Sequence, residues 1–377
     1  MTSRPPRVLA FGTYNAQKHP RIGILISGLR KNGCLVEEIN HPMELSTAQR
    51  VEILKKPWKL FGFAWMLLRL WRALRRDAHQ WVMENGHPDA VLVGYMGHFD
   101  VLLAHHVFKG IPIILDHLIF AGDTAKDRGT QGLKVKLLQK LDIMAINAAT
   151  LTLLDTKEHQ AMMPRNHPSM VVPVGASDDW YAAGDNEHIE ERALYPRRDN
   201  SIVFYGLYTP LQGVPVIAKA IRLLNERGLT AHFTLIGEGQ DYDEVRSLTH
   251  GLENIEFRTW VETKELPSLV ASHAISLGIF STTPKGLHVV PNKVYQSMAA
   301  GCAVITSDTA PQRRMLNNGV IYVQPGNPQE LADVIERLIN DRMALAHAQR
   351  NSRSTAKQFV DYQVTHDLSE WITALIP

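Results

Sequence analysis

Residues 281–306 read STTPKGLHVVPNKVYQSMAAGCAVIT, the pattern of a loop, a short helix, a tight turn and a buried strand. Pro291 and Asn292 suit the start of the helix, as a residue of fixed φ and as a side-chain cap respectively. Gly301 suits the turn at its C-terminus, and the residues that follow are apolar and β-prone. The stretch therefore predicts a helix–strand unit of an α/β domain.

The N-terminus of this helix is a candidate anion site. Backbone N–H groups at a helix N-terminus attract negative charge, and Lys293 would add a positive charge beside them. The functional interpretation is a phosphate-bearing ligand held at this turn. The alternative is an ordinary helix–strand unit without a ligand, and this stretch alone supports both equally.

The composition is that of a soluble globular protein. The chain has 377 residues, 45% apolar and 21% charged, which suits two domains. Its net charge of +2 gives no reason to expect a nucleic-acid partner. The two cysteines, Cys34 and Cys302, fit a reducing cytoplasm, and no zinc-type Cys/His spacing is found. We find no signal peptide and no apolar run long enough to span a bilayer, so we expect a cytoplasmic protein.

The first half predicts a parallel, doubly wound sheet. A buried strand ending at Gly12 is followed by a loop, a helix and a second strand, and ligands of such sheets bind at the carboxyl ends of the strands. Gly12 is therefore a candidate for close approach of a ligand. The loop after it is not GxGxxG, so a dinucleotide is only weakly indicated.

Polar residues follow the third and fourth predicted strands. His98 follows the third, Asp116 and His117 end the fourth, and Asp123 and Arg128 lie in the next loop. These side chains are candidates to bind an acceptor hydroxyl or a phosphate. Helix caps and turn formers are the ordinary alternative for each of them.

Residues 55–76, KKPWKLFGFAWMLLRLWRALRR, hold seven basic residues, three tryptophans and no acid. One helical stripe can pack on a sheet, and other aromatic residues lie off that stripe. Such a helix suits the surface of an anionic bilayer. A long domain helix with solvated basic ends is the alternative. The predicted membrane contacts are Trp58, Trp65, Arg69, Arg72 and Arg76.

A second α/β unit begins after a change of composition between residues 172 and 200. The strand–glycine–helix pattern restarts at Ser201, and NPQE at Asn327–Glu330 predicts a helix start with asparagine as its cap. The predicted organisation is a first domain over 1–180, a linker over 181–200, a second domain over 201–355 and a C-terminal helix over 356–377 that packs back on the first domain.

Several strings resemble the family-4 glycosyltransferases of GT-B fold: FYGLYTPLQGV, FTLIGEGQ, NIEFRTWV, LVASHAISLGIF and NKVYQSMAAGCAVITSD. VPVGASDDWY resembles the segment that joins the two domains of that family. The resemblance covers nearly the whole chain and is strongest from Ser201 onward. It implies two Rossmann-like domains facing each other across a cleft. It also implies transfer of a sugar from a nucleotide diphosphate-sugar with retention of configuration, without a bound metal or another cofactor.

The resemblance also implies roles for individual residues. The helix that begins near Asn292 would point its N–H groups at the diphosphate, and Lys293 would neutralise charge there. A histidine after the fourth strand holds the sugar in many relatives; His117 is the nearest candidate, and Asp116 fits the spacing as well. The other donor-binding positions are Gly12, Gly206, Gly237, Val261, Lys285, His288 and Gln296.

The chain departs from the family pattern at two glutamates, whose places are taken by His288 and Gln296. Gln296 can still accept a hydrogen bond from a ribose hydroxyl, though more weakly than a carboxylate. Gln212 stands near the place of a common basic residue, so phosphate binding depends on Lys293 with Lys285 or His288.

These observations predict a glycosyltransferase that is peripheral to the inner face of the cell membrane and acts on a lipid-linked or glycan acceptor. His98, Asp123 and Arg128 would lie on the acceptor side. One alternative is a catalytically silent GT-B subunit that supports a partner enzyme. Another is a nucleotide-sugar epimerase of the same fold.

Overall fold

The computed structural model describes residues 4–16, 19–43, 58–127, 129–185, 198–229 and 231–376. The strands are β1 Arg7–Gly12, β2 Leu35–Asn40, β3 Ala90–Val93, β4 Ile113–Asp116, β5 Leu151–Leu154, β6 Ser169–Val171, β7 Arg198–Tyr205, β8 His232–Ile236, β9 Ile255–Arg258, β10 His273–Leu277, β11 Ala303–Ser307 and β12 Ile321–Val323.

Sixteen described α-helices connect and cover these strands. They are α1 Arg21–Lys31, α2 Lys59–Asn85, α3 Asp100–Val107, α4 Ala121–Asp127, α5 Leu133–Asn147, α6 Lys157–Ala161, α7 Asp178–Gly184, α8 Val214–Glu226, α9 Tyr242–Leu248, α10 Leu266–Ala271, α11 Asn292–Ala299, α12 Ala310–Leu316, α13 Pro328–Asn340, α14 Arg342–Ala356, α15 Asp361–Val364 and α16 His366–Thr373.

The strands form two six-stranded sheets in which every pairing is parallel. The first has the order β2-β1-β3-β4-β5-β6 and the second β12-β11-β10-β7-β8-β9. The strand order reverses between β1 and β3 in the first sheet and between β7 and β10 in the second. Ligands of doubly wound sheets bind beside such reversals. The predicted fold of two Rossmann-like domains is confirmed.

Helices cover both faces of the first sheet. Residues of α1 and α16 pack on one face, and residues of α2, α3 and α5 pack on the other. Helices of a parallel α/β domain run antiparallel to its strands. The N-terminal ends of α2 and α5 therefore lie toward the carboxyl edge of the sheet.

The chain returns to the first domain after the second one. Leu368 and Ile372 of α16 are fully buried in the first-domain core. Asp361 in α15 accepts a hydrogen bond from Ser27 Oγ at 2.5 Å and pairs with Lys31 at 2.7 Å. Both chain ends that the structure describes thus belong to the first domain.

The segment predicted as a linker begins inside α7, where Trp180 is buried and stacks on Tyr205 at 5.7 Å. Most of the rest of that segment, residues 186–197, lies outside the described residues. Within the described chain, no helix combines the length and the apolar character needed to cross a bilayer.

Candidate functional site

A cleft of about 940 Å³ lies between the two domains, a volume that suits a nucleotide-sized ligand. The carboxyl ends of β4 and β5 and the loops after them form the first-domain side. The loop at 283–291 and the beginning of α11 form much of the second-domain side. Seven predicted site residues line the cleft: Asp123, Gly206, Lys285, His288, Asn292, Lys293 and Gln296.

The N-terminus of α11 opens into this cleft without a side-chain cap. Pro291 occupies the N-cap position, and no side chain accepts from the first turn. The prediction that Asn292 caps the helix is therefore wrong, because Asn292 lies one residue inside the helix. Val294 N bonds to Pro291 O at 2.9 Å, whereas no described hydrogen bond occupies the N–H groups of Asn292 and Lys293. These two groups can bind an anion.

Lys293 lies under this helix end with only 6% of its surface exposed. Its Nζ donates to Gln212 Oε1 at 2.7 Å and lies 3.7 Å from the centroid of the Phe204 ring. Burial lowers the pKa of the Lys293 ammonium well below its ordinary value. An added Cβ at Gly206 would lie 2.9 Å from Nζ, so the glycine gives the lysine its space. A bound phosphate would favour the charged form of this lysine.

Two interdomain hydrogen bonds position the loop that carries the other predicted donor contacts. Lys285 Nζ donates to Thr124 Oγ1 at 2.8 Å, and Thr156 Oγ1 donates to the carbonyl oxygen of His288 at 3.0 Å. Gln296 is half-buried and lies 3.5 Å from the hydroxyl of Tyr205. The loop is thus attached to the first domain at Lys285 and at His288.

Asp116 and His117 do not line the cleft. Asp116 is buried and accepts from Arg21 Nε at 2.7 Å, while burial raises the pKa of its carboxyl group. His117 is also buried, and burial lowers the pKa of its imidazole to about 3. The roles predicted for these two residues in holding the sugar stay predictions.

Four other predicted residues lie away from the cleft lining. The group that lies close to Gly12 is the side chain of Asp100, because a Cβ added at Gly12 would be 2.9 Å from Oδ2 of Asp100. The same Asp100 side chain accepts a hydrogen bond from Thr13 N at 2.7 Å. At Gly237 an added Cβ would collide with the carbonyl oxygen of Gly206. Val261 packs on the second-domain core, and His98 is buried beside Asp142.

Arg128 lies outside the described residues.

The sequence did not point to a histidine–carboxylate pair at the end of β5. Nδ1 of His159 and Oδ1 of Asp155 are 2.5 Å apart, and both residues line the cleft. The Thr156 hydroxyl accepts from His159 N at 3.2 Å and caps α6, which fixes the spacing of the pair. An aspartate directly after a strand, with a histidine four residues later, is the sequence pattern that would have predicted this pair.

Arg21 is a second missed residue. Arg21 lines the cleft and is 1% exposed, and the two terminal nitrogens of its guanidinium have no hydrogen-bond partner among the described residues. Arg21 and Asp116 are 95 positions apart in the sequence, so no local pattern predicts that they pair.

Comparisons with known proteins agree with this architecture. Residues 199–341 match the family model of Glycosyl transferases group 1. The alpha-D-kanosaminyltransferase of Streptomyces kanamyceticus is 23% identical over 193 residues, 50% of this chain and 49% of that protein. The phosphatidyl-myo-inositol mannosyltransferase of Mycobacterium leprae is 28% identical over 153 residues, 40% of each chain. The matched region therefore spans half or less of these curated relatives.

Solved structures match over nearly the full length. The sucrose-phosphate synthase of Thermosynechococcus elongatus has a TM-score of 0.70 at 12% identity, covering 99% of both chains. The Anabaena HepE protein in complex with UDP-glucose has a TM-score of 0.68 at 14% identity, covering 98% of this chain and 99% of that one. At these identities the likeness shows the fold, which is GT-B. Together with the family match it supports the predicted GT-B glycosyltransferase, while family 4 and retention stay predictions.

Proposed function

We infer that this chain is a GT-B glycosyltransferase that transfers a sugar from a nucleotide diphosphate-sugar. The observation that carries the inference is the uncapped N-terminus of α11 with the buried Lys293 beneath it, inside the segment that matches the group 1 family. These groups are placed to stabilise the negative charge that develops on a departing diphosphate. Because the HepE relative is solved with UDP-glucose, uridine nucleotides are the first donors to test.

The proposed reaction breaks the bond between the anomeric carbon and the diphosphate oxygen and forms a bond to an acceptor oxygen. The acceptor hydroxyl proton leaves with the diphosphate, and the family resemblance favours retention of configuration. We propose that Lys293 and the helix end neutralise the diphosphate without a divalent ion at that position. Turnover should then be independent of added Mg²⁺, and NMR of the product would give its anomeric configuration.

The acceptor is proposed to be lipid-linked or a glycan at the inner face of the cell membrane. The outward side of α2, together with its N-cap residue Trp58, exposes an aromatic and apolar stripe that is followed by arginines along the helix. It comprises Trp58, Phe61, Trp65, Leu68, Arg69, Arg72 and Arg76. Apolar and basic side chains exposed together suit an anionic bilayer surface.

Helix α5 supports the same proposal from the same layer of the first domain. Leu133 is 72% exposed and Leu137 is 58% exposed, and three lysines are exposed beside them. The one acid of this helix, Asp142, is buried. Both helices begin toward the carboxyl edge of the sheet, where the cleft lies, so a membrane on this side would be near the cleft.

The experiment is a ligand-induced thermal shift with UDP and a panel of nucleotide sugars, followed by a turnover assay with the donor that binds. We expect stabilisation of the wild type by mass action and its loss in Lys293→Met. Lys219→Met changes an exposed lysine of α8 and is the matched control, which should behave as wild type. Absence of binding by any nucleotide or nucleotide sugar would overturn the proposal.

A catalytically silent subunit is the second candidate, favoured by His288 and Gln296 in place of two glutamates. This candidate would be supported if the protein binds a nucleotide sugar tightly but neither hydrolyses it nor transfers its sugar to a lipid-linked or glycan acceptor. Release of free nucleotide from the donor would exclude it. Incubation with donor alone and analysis of the sugar would detect an epimerase.

A further inference from the structure

Two histidines and an aspartate form a buried cluster in the first domain, among residues that do not line the cleft. His98 lies in the turn after β3, His117 directly follows β4, and Asp142 belongs to α5. Oδ1 of Asp142 is 2.9 Å from Nε2 of His98 and 3.8 Å from Nε2 of His117. One ligand atom from each residue lies within 4.8 Å of the other two. Three metal-ligating side chains thus converge at one point.

His117 lacks the partner that a buried imidazole ordinarily has. Its side chain is 1% exposed, and neither ring nitrogen makes a hydrogen bond with the described residues. The ring is held between His98, at 4.9 Å between centroids, and Phe120, at 4.7 Å. Buried polar groups are nearly always satisfied. An imidazole fixed in this position therefore points to a ligand.

The distances from Asp142 to the two histidines are compatible with a tetrahedral metal ion. Bonds of roughly 2.0–2.1 Å to nitrogen and oxygen separate neighbouring ligand atoms by roughly 3.3 Å. The observed separations of 2.9 Å and 3.8 Å lie on either side of this value. Two imidazoles with one carboxylate suit zinc, whereas calcium and magnesium prefer oxygen ligands.

The carboxylate is already oriented by the backbone. Ala121 N donates to Oδ1 of Asp142 at 2.9 Å, and Gly122 N donates to Oδ2 at 3.0 Å. Metal sites depend on such supporting hydrogen bonds to hold their ligands in place. We propose that His98, His117 and Asp142 bind one zinc ion, which fastens the loops after β3 and β4 to α5.

On binding, the ion takes the place of the hydrogen between Nε2 of His98 and Asp142, and the neutral imidazole then carries its hydrogen on Nδ1. Three protein ligands leave one tetrahedral position for a water molecule. Leu118, Ile119 and Phe120 directly follow His117 and line the cleft. By binding His117, the ion would therefore hold the loop that carries these three cleft-lining residues.

The test measures zinc in the full-length protein, purified from zinc-supplemented cells and passed over a chelating resin. We expect about one zinc ion per chain in the wild type and loss of that zinc in His117→Leu. His366→Ala is the matched control, because His366, Asp367 and Glu370 form an exposed group of the same residue types. Absence of zinc from the wild type, or retention of zinc in His117→Leu, would overturn the proposal.

Thermal denaturation separates the zinc site from an unsatisfied histidine. If zinc binds, a chelator lowers the Tm of the wild type and leaves that of His117→Leu unchanged. If it does not, His117→Leu removes an unsatisfied polar group and raises the Tm even with zinc present. Should His117→Leu fail to fold, cobalt added to the refolding wild type decides the matter. Visible absorption of tetrahedral Co²⁺ supports the site, and its absence overturns it.

Discussion

At the scale of single residues, Lys293 is a buried lysine at the N-terminus of helix α11. Burial lowers its pKa in the folded protein, whereas the pKa of lysine in the unfolded chain is about 10.4. Between these two values the unfolded state binds more protons. The free energy of unfolding therefore rises with pH in this window and falls as pH drops through the folded pKa.

Lys293→Met should reveal this dependence, because methionine carries no charge to bury. Without ligand, the variant is expected to be more stable than the wild type at pH 7. The difference should shrink toward pH 10, by at most about 1.4 kcal/mol per pH unit. Chemical denaturation at a series of pH values measures it. A difference that stays constant with pH would contradict the prediction.

Asp155 and His159 are expected to contact the sugar or the acceptor, since they line the cleft and fix each other's orientation. A hydrogen bond that involves a charged group contributes about 1.5–3 kcal/mol. We therefore expect His159→Ala to reduce kcat/KM for transfer roughly 10- to 100-fold, with a smaller loss in Asp155→Asn. UDP affinity should change little. Unchanged transfer in both variants, equal to that of the exposed-residue control His105→Ala, would exclude the role.

At the scale of elements, two helix starts show what a local pattern can predict. Asn327 caps α13 as predicted, and its side chain accepts from Glu330 N at 3.1 Å. Asn292 does not cap α11, because the helix begins at Asn292 itself. The pattern of residues predicts that a helix begins, but its first residue can be misplaced by one position. That shift decides whether a side chain caps the helix or lies inside it. In α11 this error concerned the very N–H groups that remain available to a ligand.

The stripe on α2 gives a prediction for the membrane. Trp58 and Trp65 are 67% and 65% exposed, so replacing them by alanine should reduce binding to anionic vesicles at least 10-fold without unfolding the domain. Replacing Arg72 and Arg76 by glutamine should cost about 2 kcal/mol on anionic vesicles and little on neutral ones. Vesicle flotation measures both effects.

The control for this experiment is Trp260→Ala, since Trp260 is 68% exposed but belongs to the second domain. Equal flotation of the wild type, the α2 variants and this control would remove the membrane proposal.

At the scale of the whole molecule, the return of α16 predicts which domain a C-terminal substitution weakens. Leu368 is fully buried in the first-domain core, so Leu368→Ala should destabilise the protein by about 2–5 kcal/mol. Leu375→Ala, at a position that is 36% exposed, should cost much less. Hydrogen exchange should show the loss of protection in β1 and α1 rather than in β7 and α8. Weakening confined to the second domain would contradict the prediction.

The division into two parallel sheets was predictable because many strands contain an apolar run, and several of these runs are followed or closed by a glycine, as in the segment ending at Gly12. The second-domain half of the site was predictable for a similar reason, since Lys285 through Gln296 are close in sequence. The first-domain half was harder. Arg21 meets Asp116 only through the tertiary fold. His117 follows a strand end as predicted, yet it turns into the interior, and a strand pattern does not specify that direction.

The return of the chain also bears on the order of folding during translation. The first-domain core includes Leu25 and Leu29 near one end of the chain and Leu368 and Ile372 near the other. A ribosome must make the second domain before it makes the helices that complete the first. Domains usually fold in the order of their synthesis. Here the core of the second domain is therefore complete before that of the first. Until α16 has been made, the apolar face of α1 stays uncovered and offers a binding surface to a chaperone.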